Sequence, residues 1–225
     1  MRIHSYLTLL CLCLFTTAKL AAQTQYIGAA GGDWFTAANW NNGLPAAGND
    51  ALIGGGASVA IGSPLTVNFT ITNFGTIAAN AAITNSGTIA NSGTLTVSTT
   101  GSVTNNATLQ NFGTATFQSA ATFSNSAGAT FTNGGSFTLQ TTLVNLGSVV
   151  NNGTIDATNG TLQTQGTFDN NQTLTTKSLT ISAGATFTNN FGSTLNITGA
   201  GAILQISGSM TNNGTVNNSG AATLA

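Results

Sequence analysis

The chain has 225 residues and a formal net charge of −1, with 3% charged and 41% hydrophobic residues. Disorder pairs low hydrophobicity with high net charge, so this composition argues against it. With no Glu and only three Lys or Arg, the chain has no basic patch to neutralise phosphates, which excludes nucleic acid as a partner, and few helix formers.

Residues 1–22 read as a secretory signal peptide, cleaved on export. Arg2 gives the positive start, Leu7 to Phe15 the apolar core, and Leu20, Ala21 and Ala22 the small-residue cleavage region. A core of this length is too short to cross a bilayer, and no transmembrane helix is expected in the mature chain. Acylation at Cys11 or Cys13 is the alternative, but each follows a Leu where a small residue is needed. Cleavage removes both Cys, His4, Arg2 and Lys19, leaving Asp33, Asp50, Asp156, Asp169 and Lys177, a formal charge of −3. Without His, Cys or Glu, zinc sites and Ser/His or Cys/His catalysis are excluded, and no cofactor or metal is implied. A β-helical polysaccharide-cleaving enzyme would need clustered carboxylates. Asp156 and Asp169, thirteen residues apart, meet that need only in a coil of that length, so no catalytic residue is assigned.

Residues 23–53 differ in kind from the rest of the mature chain. They hold Trp34, Trp40, Pro45, Asp33 and Asp50. The Trp pair has two readings: a cap over the first coil of a repeat array, or a platform on which sugar rings stack. Asn39, bracketed by the Trp pair, and Pro45, after Asn41, Asn42, Gly43 and Leu44, read as cap and turn residues, and so do Asp33 and Asp50, because calcium-binding solenoids repeat their Asp in every coil and this chain does not.

Residues 54–225 repeat a unit of Asn, a residue, Gly, Thr and one apolar residue. Ile77, Ile83, Ile89 and Leu95 are six apart, as are Val97, Val103, Leu109 and Ala115, and Phe131, Phe137, Leu143, Val149 and Ile155. Six is even, so in extended chain these side chains share one face, whereas a helix would scatter them. Asn and Gly supply the bends. The pattern predicts an all-β parallel β-helix, or β-solenoid, of about eight coils of roughly 20 residues and about 40 Å length. Val97 to Phe117 is one turn of twenty, with the two added residues at Leu95–Val97 read as a longer side holding two inward residues. A strict eighteen-residue coil is the alternative. The recurring Asn at positions 73, 85, 91, 111, 145 and 151 are expected to form amide ladders. Paired outward Thr, at 70 and 72, 94 and 96, 114 and 116, 130 and 132, and 186 and 188, raise a remote ice-binding reading. Unequal intervals between the pairs predict that no lattice forms. The pattern runs to the last residue with no polar capping coil, so truncation at the C-terminal end is expected.

The segment GDWFTAANWNNGLPAAGNDALI resembles the opening of bacterial surface and autotransporter-type β-solenoid passengers. The Asn-x-Gly-Thr repeats are similar to those proteins and to filamentous haemagglutinin-like passengers. The resemblance implies a right-handed parallel β-helix, exported and either secreted or displayed at the bacterial cell surface. It implies a non-catalytic, adhesin-like or structural stalk whose partner is an extracellular ligand, a glycan or another surface protein.

Overall fold

The computed structural model describes residues 22–224; of the expected signal peptide only Ala22 falls within them, and Cys11 and Cys13 lie outside the described residues. The chain winds as a three-sided solenoid. One face carries ten parallel strands, from Ala22–Gln25 and Asn49–Ile53 to Ser209–Asn212. The second begins with Gly32–Asp33 and Ser58–Ile61 and ends at Thr215–Asn218; the third begins with Leu65–Val67 and ends at Ala221–Leu224. The second and third faces count as one sheet because Thr154–Thr164 and Thr173–Ile181 each run unbroken around the corner between them. There are about nine turns, against about eight counted from the spacing. The one helical element among the described residues is a 3₁₀ turn, Ala37–Asn39.

Nearly every strand has four residues and buries its second and fourth. This corrects the reading of Leu95–Val97 as a longer side. All three sides hold two inward residues, and Val97 occupies the place that Asn91 and Asn105 hold on the other two faces. The extra residues sit at corners. A tight corner spends two residues, as Phe74 and Gly75 between Asn73 and Thr76, and three tight corners with three strands give the 18 residues that separate Asn73 from Asn91. Elsewhere a corner is a four-residue β-turn closed by a bond from the fourth N–H to the first carbonyl, as in Ser98–Gly101, Gln118–Ala121, Ser126–Ala129 and Ser182–Ala185. Three of these turns take positive φ at the third residue, supplied by Gly128 and Gly184 and, at φ 71°, by Ala120. Each such turn adds two residues, so the Asn91–Asn111 coil has 20 and the Asn111–Asn133 coil has 22. The phase slips in the sequence are these turns, and the strict eighteen-residue coil survives only where every corner is tight.

The Asn-x-Gly unit is a corner device. On the first face Asn73, Asn91, Asn111, Asn133, Asn151, Asn170 and Asn189 are buried, and each Nδ2 donates to the Oδ1 of the next Asn at 2.7–2.9 Å, ending on Asn212. The second Nδ2 proton goes to a carbonyl on the following strand one coil further, as from Asn111 to Ser136 O at 2.9 Å. The third face repeats this through Asn85, Asn105, Asn125 and Asn145, where Thr164 Oγ1 accepts the last bond at 3.1 Å. The expected ladders are therefore present, but inside the coil. The Gly two residues on has its own reason. A Cβ on Gly113 would collide with the carbonyl oxygen of Gly93 in the coil before, so coils stack at this corner only without a side chain.

Between the ladders the interior is apolar. Phe117, Phe123, Phe131 and Phe137 cluster with ring centroids 4.9–5.5 Å apart, filling the coils where Ala115 leaves room. Leu109 is 2% exposed and stacks between Ile89 and Phe131, while Thr108 beside it faces outward. Leu109→Asp buries an unpaired carboxylate and is expected to cost several kcal/mol, against about 0.5 kcal/mol or less for Thr108→Asp; paired chemical denaturation with hydrogen exchange across residues 90–120 reads the difference. Asn111→Leu keeps the branched shape but adds volume, and it strips Asn91 Nδ2 of its acceptor and Asn133 Oδ1 of its donor. A loss of about 2–4 kcal/mol is expected, while Asn106→Ala, at an exposed corner, stays near wild type in the same assay.

Candidate functional site

The N-terminal segment is a coil with one side replaced. Ala22–Gln25 pairs with Asn49–Ile53, and Gly32–Asp33 pairs with Ser58–Ile61, which makes two sides. Where a third strand would stand, the chain turns through Ala37–Asn39 and returns, with Trp40 bridging Tyr26 in antiparallel fashion. Trp34 and Trp40 meet edge to face at 4.8 Å, Trp40 and Tyr26 at 5.3 Å, and Trp34 stacks towards Phe69 at 6.5 Å. Trp40 Nε1 donates to Trp34 O at 2.8 Å, so the indole N–H is satisfied away from water.

This packing buries both indoles. Trp34 is 1% exposed and Trp40 4%, and neither ring offers a free face to a pyranose. The other four candidate residues do not converge on one point. Asn39 Nδ2 donates to Asp33 O at 2.8 Å, and Asp33 Oδ2 accepts from Thr36 Oγ1 at 3.3 Å. The Asn39 side chain fills the space a Cβ on Gly28 would need, and the Tyr26 hydroxyl fills the space a Cβ on Gly32 would need. Asp50 Oδ1 accepts from the backbone N–H of Thr70 at 2.8 Å, a tie to the following coil. Pro45 lines a cleft of about 490 Å³ with Trp34, Phe35, Leu44, Leu65 and Phe69. Beside this cleft, the N-terminal edge of Leu65–Val67 pairs with no strand among the described residues. Pro64 immediately precedes it and lacks an N–H, which blunts the edge.

The outward faces are more regular than the sequence intervals predict. The five Thr pairs divide between two faces: those at 70, 130 and 186 lie on the first, those at 94 and 114 on the second. Register puts Thr94 and Thr96 in line with Thr114 and Thr116, and these with Ser136 and Thr138. A hydroxyl lattice therefore does form, because variable coil length is absorbed at corners. It spans three coils, bounded by Ala78 on one side and Asp156 on the other. Asp156 lies on the second face and Asp169 on the first, in coils of 19 residues, so the two are not a pair. Asp156 Oδ1 instead accepts from the Thr158 backbone and hydroxyl. Among the described residues no group of three or more His, Cys, Asp or Glu is placed to hold a metal, and no helix is long and apolar enough to cross a membrane.

Comparison with protein-family models, with curated proteins and with solved structures returns no match. The architecture defines a β-solenoid.

Packing shifts the titration of Tyr26. Burial pushes its phenol above the ordinary 10.0; a backbone hydrogen bond from Gly32 opposes this and the Asp33 charge adds to it. The phenol donates to Ala29 O at 2.9 Å, a bond the phenolate cannot make. Because the folded state holds this proton to higher pH than the unfolded chain does, the stability it contributes is present below pH 10 and is lost as pH rises through the folded value. Thermal melts are expected to be flat from pH 5 to 9 and to fall above pH 10, and Tyr26→Phe to melt lower at neutral pH with a smaller alkaline fall.

Proposed function

We propose that this chain is a non-catalytic, exported β-solenoid, secreted or held at a bacterial cell surface, that works as a structural stalk with adhesin-like contacts. The observation supporting it is the unbroken parallel register on all three faces, in which every coil bonds to the coils before and after it. About nine turns at about 4.8 Å each give a rod about 43 Å long. Its interior is spent on ladders and apolar packing, and its outward positions carry mainly Thr, Ser and other uncharged side chains. Such a surface suits extension and multivalent contact, not acid–base chemistry. Export rests on residues 1–22, and the bacterial surface assignment on the resemblance of the Trp segment and repeats to autotransporter-type passengers.

Two measurements test the reading. Small-angle scattering of residues 23–225 is expected to show a rod with a long axis near 43 Å, and a globular profile would overturn the stalk. Expression of the whole chain in a Gram-negative host is expected to yield a product outside the cytoplasm beginning at Gln23; a cytoplasmic product retaining residues 1–22 would overturn export.

A further inference from the structure

One corner of the solenoid departs from the Thr and Asn that dominate its surface. The residue after each buried Asn of the first face points outward at the corner leading to the second face. In successive coils these are Phe74, Ser92, Phe112, Gly134, Asn152, Asn171 and Asn190. Phe74 is 55% exposed, Phe112 53%, and Phe191, in the turn that begins at Asn190, 93%. Exposed apolar side chains scattered singly need no explanation, whereas clustered ones mark interaction surfaces. These are not scattered. Among the described residues four phenyl rings are exposed, and three of them share this corner while the fourth, Phe35, lies in the N-terminal segment.

The corner is also shaped. A Cβ on Gly134 would come within 2.9 Å of the Phe112 ring. Phe112 therefore lies against the next coil's glycine on one side and is open to solvent on the other. Phe74 and Phe112 stand two coils apart, about 10 Å, with Ser92 between them. Beyond Gly134 the corner becomes a surface amide ladder, in which Asn171 Nδ2 donates to Asn152 Oδ1 at 2.7 Å and Asn190 Nδ2 to Asn171 Oδ1 at 2.6 Å. Each of these amides has an N–H that the ladder does not use. No position in this row is charged.

We propose that this corner binds a neutral, extended β-linked polysaccharide lying along the solenoid axis. Sugar rings present apolar C–H faces to Phe74 and Phe112, whose two-coil separation suits alternate residues of an extended chain. Their hydroxyls bond to the amides of Asn152, Asn171 and Asn190, and Phe191 receives a further ring. An anionic polymer is disfavoured, because the corner offers no cation. The assignment rests on the surface-stalk reading and gives it a ligand class; it moves the glycan from the buried indoles to exposed phenyls.

The test is retention of the folded chain on microcrystalline cellulose and chitin, and in gels containing mixed-linkage β-glucan or xylan. Retention on at least one is expected, insensitive to added NaCl. The Phe74→Ala/Phe112→Ala double variant is expected to lose at least tenfold in affinity and Phe191→Ala about threefold, while Phe35→Ala is unchanged. These rings are exposed, and unchanged circular dichroism and rod length by scattering confirm that the variants fold. Absence of retention on all four polysaccharides, or full retention by the double variant, overturns the proposal. The rod length measured in parallel stands or falls separately, so failure here leaves the stalk intact.

Discussion

A carboxamide sealed from water must place both its protons and its carbonyl or cost about 1–3 kcal/mol for each orphan. This chain buries eleven such groups in two columns and satisfies them with one another. The donor always points to the following coil, its second proton reaches a backbone carbonyl there, and its oxygen accepts from the coil before. That arrangement holds only if successive Asn stand one strand spacing apart in unbroken register. The amide ladder thus fixes strand register at two of the three corners, adding to the face assignment that burial of the apolar side chains already imposes.

Given that register, length variation has only the corners to occupy. Two-residue corners bring Gly against the carbonyl of the coil before, and four-residue turns loop outward from the same endpoints. Strands stay aligned while coils range from 18 to 23 residues. The outer surface inherits this order. Thr94, Thr114 and Ser136 form a column although 20 and 22 residues separate them, and the corner carrying Phe74 and Phe112 keeps its rings on one line. Periodicity in the folded molecule is therefore more regular than periodicity in the sequence, and surface lattices have to be judged by register.

The architecture is legible in the sequence because alternation and the six-residue interval are consequences of strand geometry. Spacing alone places Leu109, Val103 and Phe137 inward, and inward they are. What spacing does not show is that Asn91 and Asn105 also face inward. Polarity argues for solvent unless a stacked partner is assumed, and the partner lies 20 residues away. The signal is present in the alternation of Ile89 with Asn91 and of Val103 with Asn105, both two apart. The Trp segment is recognisable as foreign to the repeat, but whether an indole covers a core or receives a ligand depends on exposure, which no local pattern encodes. Phe74 and Phe112 give no signal of their own. Their shared corner emerges only when coils of 18 and 20 residues are wound in register.

The two ladders differ because a polar column has to end somewhere. At the start of each, the preceding coil carries an apolar residue, Ile53 before Asn73 and Val67 before Asn85, so no amide is aimed at the N-terminal segment. The first oxygens accept instead from the N–H of Gly75 and Gly87. At the far end of the third-face ladder Asn145 donates to Thr164, and the next coils carry Ile181 and Ile206 in its place. A hydroxyl suits that junction because it accepts from the last amide at 3.1 Å without presenting a second polar arm to the apolar residue beyond it. The same coil is where the chain runs unbroken around another corner in Thr154–Thr164, so the solenoid changes its corner chemistry while the last ladder amide keeps an acceptor. The first-face ladder has no such break among its buried members, and the exposed phenyls and the surface amides stand at the corner it fixes. A column that cannot slip is what keeps outward side chains several coils apart on one axis, and a recognition surface that reads an extended ligand requires that alignment.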